Sequence, residues 1–517
     1  MSCRSVPALS RRPVSALAAA LALVLIPTLA HAAPPTLTDL GAHHYVQDVS
    51  DDGAVAVGLF DDRDTGTIGV SRWTETGGTD VIGGLGRNPG AGSPAVSADG
   101  SRIAATVSGD VTTAAFWSEA EGWQPIDGLG FLPPYPGWGT YANAISADGQ
   151  RLAGGTIAAP VTLGRMRAFS YNPDDWQDRW SDFGWQELPL LRKGSFSEAT
   201  AISNDGTVQA GRSTTGISSA FRAVMWKDGR VSELPGYGDD HLGGESVACN
   251  GDCSVIVGGG GGNSAFAPVL AWRYRPADVR RPACHLQPHA DAPRDALRYY
   301  ARSTSEDGNV IVGSYHYNQV SDDGWIRNLS KGFIWIGDAT GGTMHDLQGY
   351  LTRLGQPGLA GWQDLNATGL SADARYLVGW GVDAAGTPRG WRVDFGGAPR
   401  ATGGAEDRTR CPTSLKPPHA HLASAPAAEA DDFRETPEGR FGDGAGTEYV
   451  LRNDGMRLTG AMAGRNETTE LLPLGGGRYL TPGQGVLTVT HDTRGLVTGI
   501  ESLRPDGGRR RLERIAD

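Results

Sequence analysis

One short phrase recurs along the chain and limits its fold more than any other feature. It is an apolar residue, Ser, any residue, Asp and Gly, followed by alternating apolar residues that end in Gly. It reads Val49-Ser50-Asp51-Asp52-Gly53 leading to Gly58, and Val96-Ser97-Ala98-Asp99-Gly100. Ile145-Ser146-Ala147-Asp148-Gly149 leads to Gly154, Ile202-Ser203-Asn204-Asp205-Gly206 to Gly211, and Thr304-Ser305-Glu306-Asp307-Gly308 to Gly313. Two degenerate copies, Cys249-Asn250-Gly251-Asp252-Cys253 leading to Gly258 and Leu370-Ser371-Ala372-Asp373-Ala374 leading to Gly379, make seven. Asp-Gly supplies the positive backbone angles of a tight hairpin turn, and the Ser and Asp oxygens reach nearby backbone N–H groups. The alternation that follows, as in Val310-Ile311-Val312-Gly313, is strand-like.

A Trp-bearing segment follows most hairpins, at Trp73, Trp117, Trp226, Trp272, Trp335 and Trp391; in the third unit the place falls to Phe169 or Tyr171. A further apolar stretch closes most units, at residues 82–85, 126–129, 185–188, 231–234 and 344–347. Four short strands in each of seven units predict an all-β chain, with residues 33–395 a seven-bladed β-propeller. The seventh unit lacks a fourth strand. Leu37-Thr38-Asp39-Leu40-Gly41 matches Met344-His345-Asp346-Leu347 and is expected to complete that unit, removing two exposed sheet edges.

The Ser-x-Asp-Gly strand followed by Trp resembles the extracellular HAF repeats of exported bacterial proteins. The nearest match is Leu351-Thr352-Arg353-Leu354, then Gly361-Trp362, then Ala367-Thr368-Gly369-Leu370-Ser371-Ala372-Asp373. The resemblance spans roughly residues 36–394 and brings no active-site motif with it. The turn also resembles TolB-type propeller repeats and sialidase Asp-boxes, which are scaffolding hairpins; the recurring Asp residues therefore read as structural. Two departures stand out: the cysteine-bearing fifth turn and a long insert at 273–297.

Residues 1–32 read as a secretory signal. Arg4, Arg11 and Arg12 precede an apolar run at 16–29, and Ala30-His31-Ala32 offers a cleavage site. The run falls short of the about 20 residues that span a bilayer, so a periplasmic or extracellular protein with no transmembrane segment in the mature chain is expected. Losing three Arg takes the net charge from −12 to −15, which argues against nucleic acid as a partner. Four cysteines then remain. The turn at Asn250-Gly251-Asp252 predicts a Cys249–Cys253 disulfide, and elimination leaves Cys284–Cys411. Metal ligation by Cys284 with His285 and His289 is the rival, weakened by the lack of a second Cys-x-x-Cys pair.

Residues 396–430, rich in Gly, Pro and Ala, read as a linker. Residues 431–517 read as a β-meander or barrel of about seven strands. That pattern weakly resembles the β-domain appended to some beta-lactamase-like serine hydrolases, a likeness of fold alone.

No Gly-x-Ser-x-Gly, His-Glu-x-x-His or phosphate-cradling Gly loop occurs, so no catalytic residue, cofactor or metal is expected. His43-His44 reads as strand entry, and Asp61-Asp62-Arg63-Asp64 as a solvated turn. Tyr299-Tyr300 beside Arg298 and Arg302 is the one crowding of a sialidase kind, and reads as packing of the sixth blade. The loops at 131–140, 172–185, 237–244 and 315–330 are expected around one mouth of the channel. They carry Trp138, Trp176, Trp180, Trp185 and Trp325, suited to stacking on a sugar or peptide, or alternatively to covering blade edges. The expectation is a monomeric, exported, non-catalytic binding or interaction module for a glycan or protein. The alternative is a carbohydrate-active hydrolase or lyase, which needs paired carboxylates and aromatics at a channel mouth.

Overall fold

The side chains of each repeated phrase build its turn. Ser Oγ donates to the Asp two residues on, at 2.7 Å for Ser50–Asp52, 2.6 Å for Ser203–Asp205 and 2.7 Å for Ser371–Asp373. The same oxygen accepts the amide five residues on, from Val55, Arg102, Arg151, Val208, Val310 and Tyr376. The closing Gly takes the left-handed backbone that a Cβ disfavours, as at Gly53 (φ 69°) and Gly206 (φ 69°). In the degenerate copies Cys253 (φ 52°) and Ala374 (φ 60°) take it instead.

The computed structural model describes residues 34–515, apart from 87–91, 109–111, 127–138, 158–165, 174–183, 216–217, 236–241, 245, 261–269, 278–282, 294–295, 297, 321–325, 339, 401–408, 411–438, 444–447, 454–457, 463–468, 476–477, 482–484, 492–496 and 504–508. The chain is almost entirely β. The first unit pairs His44–Val49, Val55–Asp62, Thr67–Thr74 and Gly78–Gly86 in sequence order. The second pairs Ala95–Val96, Arg102–Ser108, Thr112–Ser118 and Gly122–Pro125. The third pairs Gly139–Ile145, Leu152–Ile157, Ala168–Tyr171 and Trp185–Glu187, and the fourth Ser197–Ile202, Val208–Thr215, Ser218–Lys227 and Arg230–Glu233. A nine-stranded sheet holds the fifth and sixth units, joined at the single pair Gly259↔Tyr300. Its fifth-unit part is Ser246–Cys249, Ile256–Gly259, Trp272–Tyr274 and Ala283–His285. Its sixth-unit part is Arg298–Thr304, Val310–Val320, Ile326–Asp338 and Gly341–Asp346.

In the seventh unit Trp362–Leu370, Tyr376–Asp383 and Pro388–Asp394 are joined by Thr36–Ala42, antiparallel, with Thr36 opposite Asp394 and Ala42 opposite Arg389. The earliest described strand thus lies beside the last strand of the repeats. Arg389 clamps Asp39 across this pairing, at 2.9 and 2.6 Å.

Apolar side chains between successive sheets form the core. Trp226 and Trp272 are almost fully buried, and Trp391 packs with Val312, Ile334 and Leu365. The insert at 273–297 is not merely an insert, because Ala283–His285 within it supplies the fifth unit's outermost strand. The sequence also hid a helix, Leu347–Arg353. The Asp346 carboxylate caps it by accepting the Gly349 amide at 2.7 Å, and Leu347, Tyr350 and Leu351 sink into the core.

Gly439–Gly442, Glu448–Asn453, Leu458–Met462, Thr469–Gly475, Arg478–Thr481, Gly485–His491, Val497–Leu503 and Arg509–Ile515 close into a barrel of eight strands, one more than expected. Phe441, Leu451, Ile500 and Leu512 are among the side chains that fill it. Within the expected linker, Thr409–Arg410 pairs with Gly341–Gly342 on the edge of the sixth-unit sheet. Cys249 and Cys253 form a disulfide with Cα atoms 4.9 Å apart. Cys284 is also disulfide-bonded; its expected partner, Cys411, lies outside the described residues.

Candidate functional site

Successive units are laced together at the repeated turns. Asp51 N donates to Ala98 O (2.9 Å), Ala98 N to Ala147 O (3.0 Å), Asn204 N to Gly251 O (2.5 Å) and Glu306 N to Ala372 O (2.8 Å). Gly251 N donates to Glu306 Oε2 (2.8 Å), and Arg151 Nη1 to Asp205 O (2.7 Å) between the third and fourth units. Ala372 N donates to Asp51 Oδ1 (3.1 Å), linking the seventh unit back to the first. The chain of contacts therefore passes through every unit and returns to its start.

Strand alternation divides the connections between two ends. Turns after the first and third strands of a unit lie at one end. Connections after its second and fourth strands lie at the other. Tyr171 and Trp185, which flank the expected insert at 172–185, lie at the Ser-x-Asp-Gly end of their unit, whereas Val320 and Ile326 lie at the opposite, loop end of theirs; most of the expected inserts themselves fall outside the described residues. Trp138, Trp176, Trp180 and Trp325 are outside the described residues. Trp185 packs on Phe169 (4.3 Å) and Tyr171 (5.4 Å), so it covers its own sheet. A small open cleft of about 180 Å³ lies at the turn end, lined by Arg102, Trp117, Glu121, Gln124, Tyr171 and Pro173.

At the loop end, aromatics and ion pairs come together from separate units. Tyr45 and Trp380, both half-buried, meet edge-on at 5.2 Å. Arg212 lies between Phe221 (4.4 Å) and Phe196 (5.4 Å) and donates through Nε to Glu198 Oε2 at 2.6 Å. Asn143 Nδ2 donates to the other Glu198 oxygen at 3.0 Å. Asp364 is pushed up by burial and drawn back by Lys331, 4.0 Å away. Tyr315 stacks on Tyr299 and donates to Asp346 Oδ2 at 3.0 Å; burial chiefly, then the Asp346 charge, raises its phenol. His289 meets the Tyr315 ring at 5.3 Å, and burial lowers its pKa. Each of these carboxylates is already engaged by a cation, a phenol or a backbone N–H. Tyr299 and Tyr300 are buried in the sheet, as packing requires.

The innermost strands share one irregularity. Five carry a β-bulge three residues before the turn Ser, at Gln47, Asn143, Thr200, Arg302 and Thr368. Three bulged side chains bond to the next unit: Asn143 to Ala199 O (2.9 Å), Thr200 to Val247 O (2.7 Å) and Thr368 to Val46 O (2.8 Å). Asp48, next to a bulge, accepts the amides of Val49 (2.9 Å) and Val96 (3.0 Å), and burial raises its pKa to about 6.

Sequence reasoning passed over Trp380, Glu198 and Arg212. Trp380 was legible in principle, because Gly379-Trp380-Gly381 adds a Trp where the other units have none. Glu198 and Arg212 become a pair only through strand register.

No protein-family model matches the chain, and no curated protein matches it. Solved structures similar to it include TolB from Acinetobacter baumannii, at 16% identity over 47% of this chain and 51% of that one, with a TM-score of 0.30. An oligogalacturonate lyase in complex with manganese is similar at 11% identity over 69% of this chain and 92% of that one (TM-score 0.42). The β-propeller domain of the trilobed protease from Pyrococcus furiosus is similar at 10% over 73% and 98% (TM-score 0.38). The chain thus spans about half the length of the TolB structure it matches, and likenesses this remote carry nothing about ligand or activity.

Proposed function

We propose that residues 36–394 close into a seven-bladed β-propeller of the HAF-repeat kind. In this reading the protein is an exported, non-catalytic binding module whose ligand meets the loop end. The ring reading is supported by the contacts that pass from unit to unit and return through Ala372 and Asp51, and by Thr36–Ala42 pairing beside the seventh unit. Export is supported by the signal-like start and by disulfide-bonded Cys249, Cys253 and Cys284. Cys284–Cys411 would tether the segment that leads to the C-terminal barrel.

One observation carries the binding reading: at the loop end the rings of Tyr45 and Trp380 meet edge-on and stay partly open to solvent, while Glu198, Asp346 and Asp364 each have a partner. A hydrolase or lyase would need two facing carboxylates with a proton to exchange, and Glu198, Asp346 and Asp364 are committed to other partners. The test is a glycan, peptidoglycan and peptide binding screen with the purified chain, repeated with Trp380→Ala. A retained ligand that the variant loses supports the reading. Neither retention nor hydrolysis of any probe would defeat both the binding and the enzymatic account.

A further inference from the structure

Of the repeated turns only the fifth carries a disulfide. Cys249 and Cys253 stand where the first turn has Val49 and Gly53, and Asn250 stands where it has Ser50. The hairpin is built without help from the bridge. Asn250 Oδ1 accepts the Val255 amide at 2.8 Å, as Ser Oγ does in the other turns. Cys253 N donates to Asn250 O at 2.9 Å, as Gly53 N does to Ser50 O. Ala374 holds the same left-handed backbone, at φ 60°, with no cysteine beside it. Chain entropy does not explain the bridge either. The gain from a cross-link shrinks with the loop it closes, and these cysteines are only four positions apart.

What lies between the cysteines is a junction. Gly251 O accepts from Asn204 N of the fourth unit. Gly251 N donates to Glu306 Oε2 of the sixth, and Asn250 Nδ2 to Glu306 O, both at 2.8 Å. The fifth unit leans on these contacts, because its strands are only four, four, three and three residues long. Cys253 sits at φ 52°, a backbone that a residue with a Cβ disfavours by about tenfold relative to Gly. The bridge ties it there. Cys253 is buried but Cys249 is part-exposed, and bridges open to solvent are the ones that exchange with thiols.

We propose that Cys249–Cys253 is a redox-sensitive latch joining the fourth, fifth and sixth units: the junction opens readily while the chain is reduced and is fastened once the bridge forms in an oxidising compartment. The step is a thiol–disulfide exchange. One thiolate of a dithiol reductant attacks the bridge, its second thiolate displaces the protein sulfur, and the reductant leaves as its own disulfide. Two electrons and two protons pass to the protein and yield the Cys249 and Cys253 thiols. Fastening is the reverse, with a disulfide as oxidant. The inference rests on the export reading for its oxidising compartment and on no ligand.

The test is amide hydrogen exchange on the native full chain, with and without dithiothreitol, with alkylation and mass spectrometry to map the thiols. Cys249 and Cys253 are expected to be reduced without denaturant. The amides of Asn204 and Gly251 should then exchange about tenfold faster. Those of Asp51 and Ala98, which lace unbridged turns, should keep their rates. Cys249→Ala/Cys253→Gly restores the ordinary glycine, so its Asn204 and Gly251 amides should exchange slowly with or without reductant. An effect of dithiothreitol that persists in this variant would come from elsewhere and would overturn the proposal. So would thiols that appear only in denaturant, or reduced cysteines with unchanged exchange at Asn204 and Gly251. A chain that fails in any of these ways and still retains a ligand leaves the binding reading standing.

Discussion

Ala372 donates its amide to the carboxylate of Asp51, 321 positions away, at 3.1 Å. The other turn-to-turn contacts described above join each unit to the next along the chain; this one joins the last unit to the first. Asp51→Ala removes the acceptor and should cost about 1–2 kcal/mol. Asp51→Asn keeps an acceptor oxygen and should cost less. Chemical denaturation of the two variants checks the order, and an Asp51→Ala chain as stable as the parent would contradict it.

Gly53 lies at the same seam. It has φ 69°, and a Cβ there would run into the Tyr376 ring of the seventh unit. Gly229 has φ 68° and open space around it. Gly229→Ala should therefore cost about 1 kcal/mol of backbone strain alone. Gly53→Ala should cost at least about 1 kcal/mol more, through overpacking. Equal losses in a urea titration would mean that Tyr376 does not press on Gly53.

Two groups on the first inner strand pull the pH profile in opposite directions. Burial raises Asp48 to about 6, so the folded state binds a proton before the unfolded state does. Stability gains as pH falls from about 6 toward 4 and is lost again as pH rises. Burial, and then neighbouring His43, lower His44 to about 4, so the unfolded state binds the proton first. Its contribution is present above about 6.5 and is lost as pH falls toward 4. Asp48→Asn should make the chain more acid-sensitive between pH 6 and 4, and His44→Phe less so, each by about 1–2 kcal/mol. Thermal midpoints across that window decide it; two unchanged profiles would contradict both assignments.

Cys253 holds φ 52° where most copies of the turn have Gly. With the disulfide removed, Cys249→Ala/Cys253→Gly should be more stable than Cys249→Ala/Cys253→Ala by about 1 kcal/mol, because only Gly adopts that backbone without strain. The reverse order in denaturation would show that the turn relaxes once the bridge is gone.

Much of this was legible because the turn chemistry is local. Ser, Asp and Gly within five residues specify a hairpin whatever surrounds them, so seven units and their alternating strands stand out in the text of the chain. The strand at residues 36–42 was legible by its likeness to residues 344–347. The strand Ala283–His285 was not, since three residues in a Pro- and Arg-rich stretch form it only by pairing with Trp272–Tyr274. The helix Leu347–Arg353 was missed because its single cap, Asp346, also reads as the end of a strand. Trp residues in inserts drew attention as ligand contacts, yet Trp185 packs on its own sheet and the partly open pair is Tyr45 with Trp380.

The most direct measurement of the closed ring is amide hydrogen exchange resolved to residues 36–42 in the full chain, with Thr38→Pro as the comparison. Pairing with Pro388–Asp394 predicts that those amides of residues 36–42 that face this strand exchange far more slowly than an unstructured peptide's, and that the Pro variant loosens residues 388–394 together with 36–42. Exchange of residues 36–42 at the rate of an unstructured peptide, with residues 388–394 indifferent to the substitution, would contradict it.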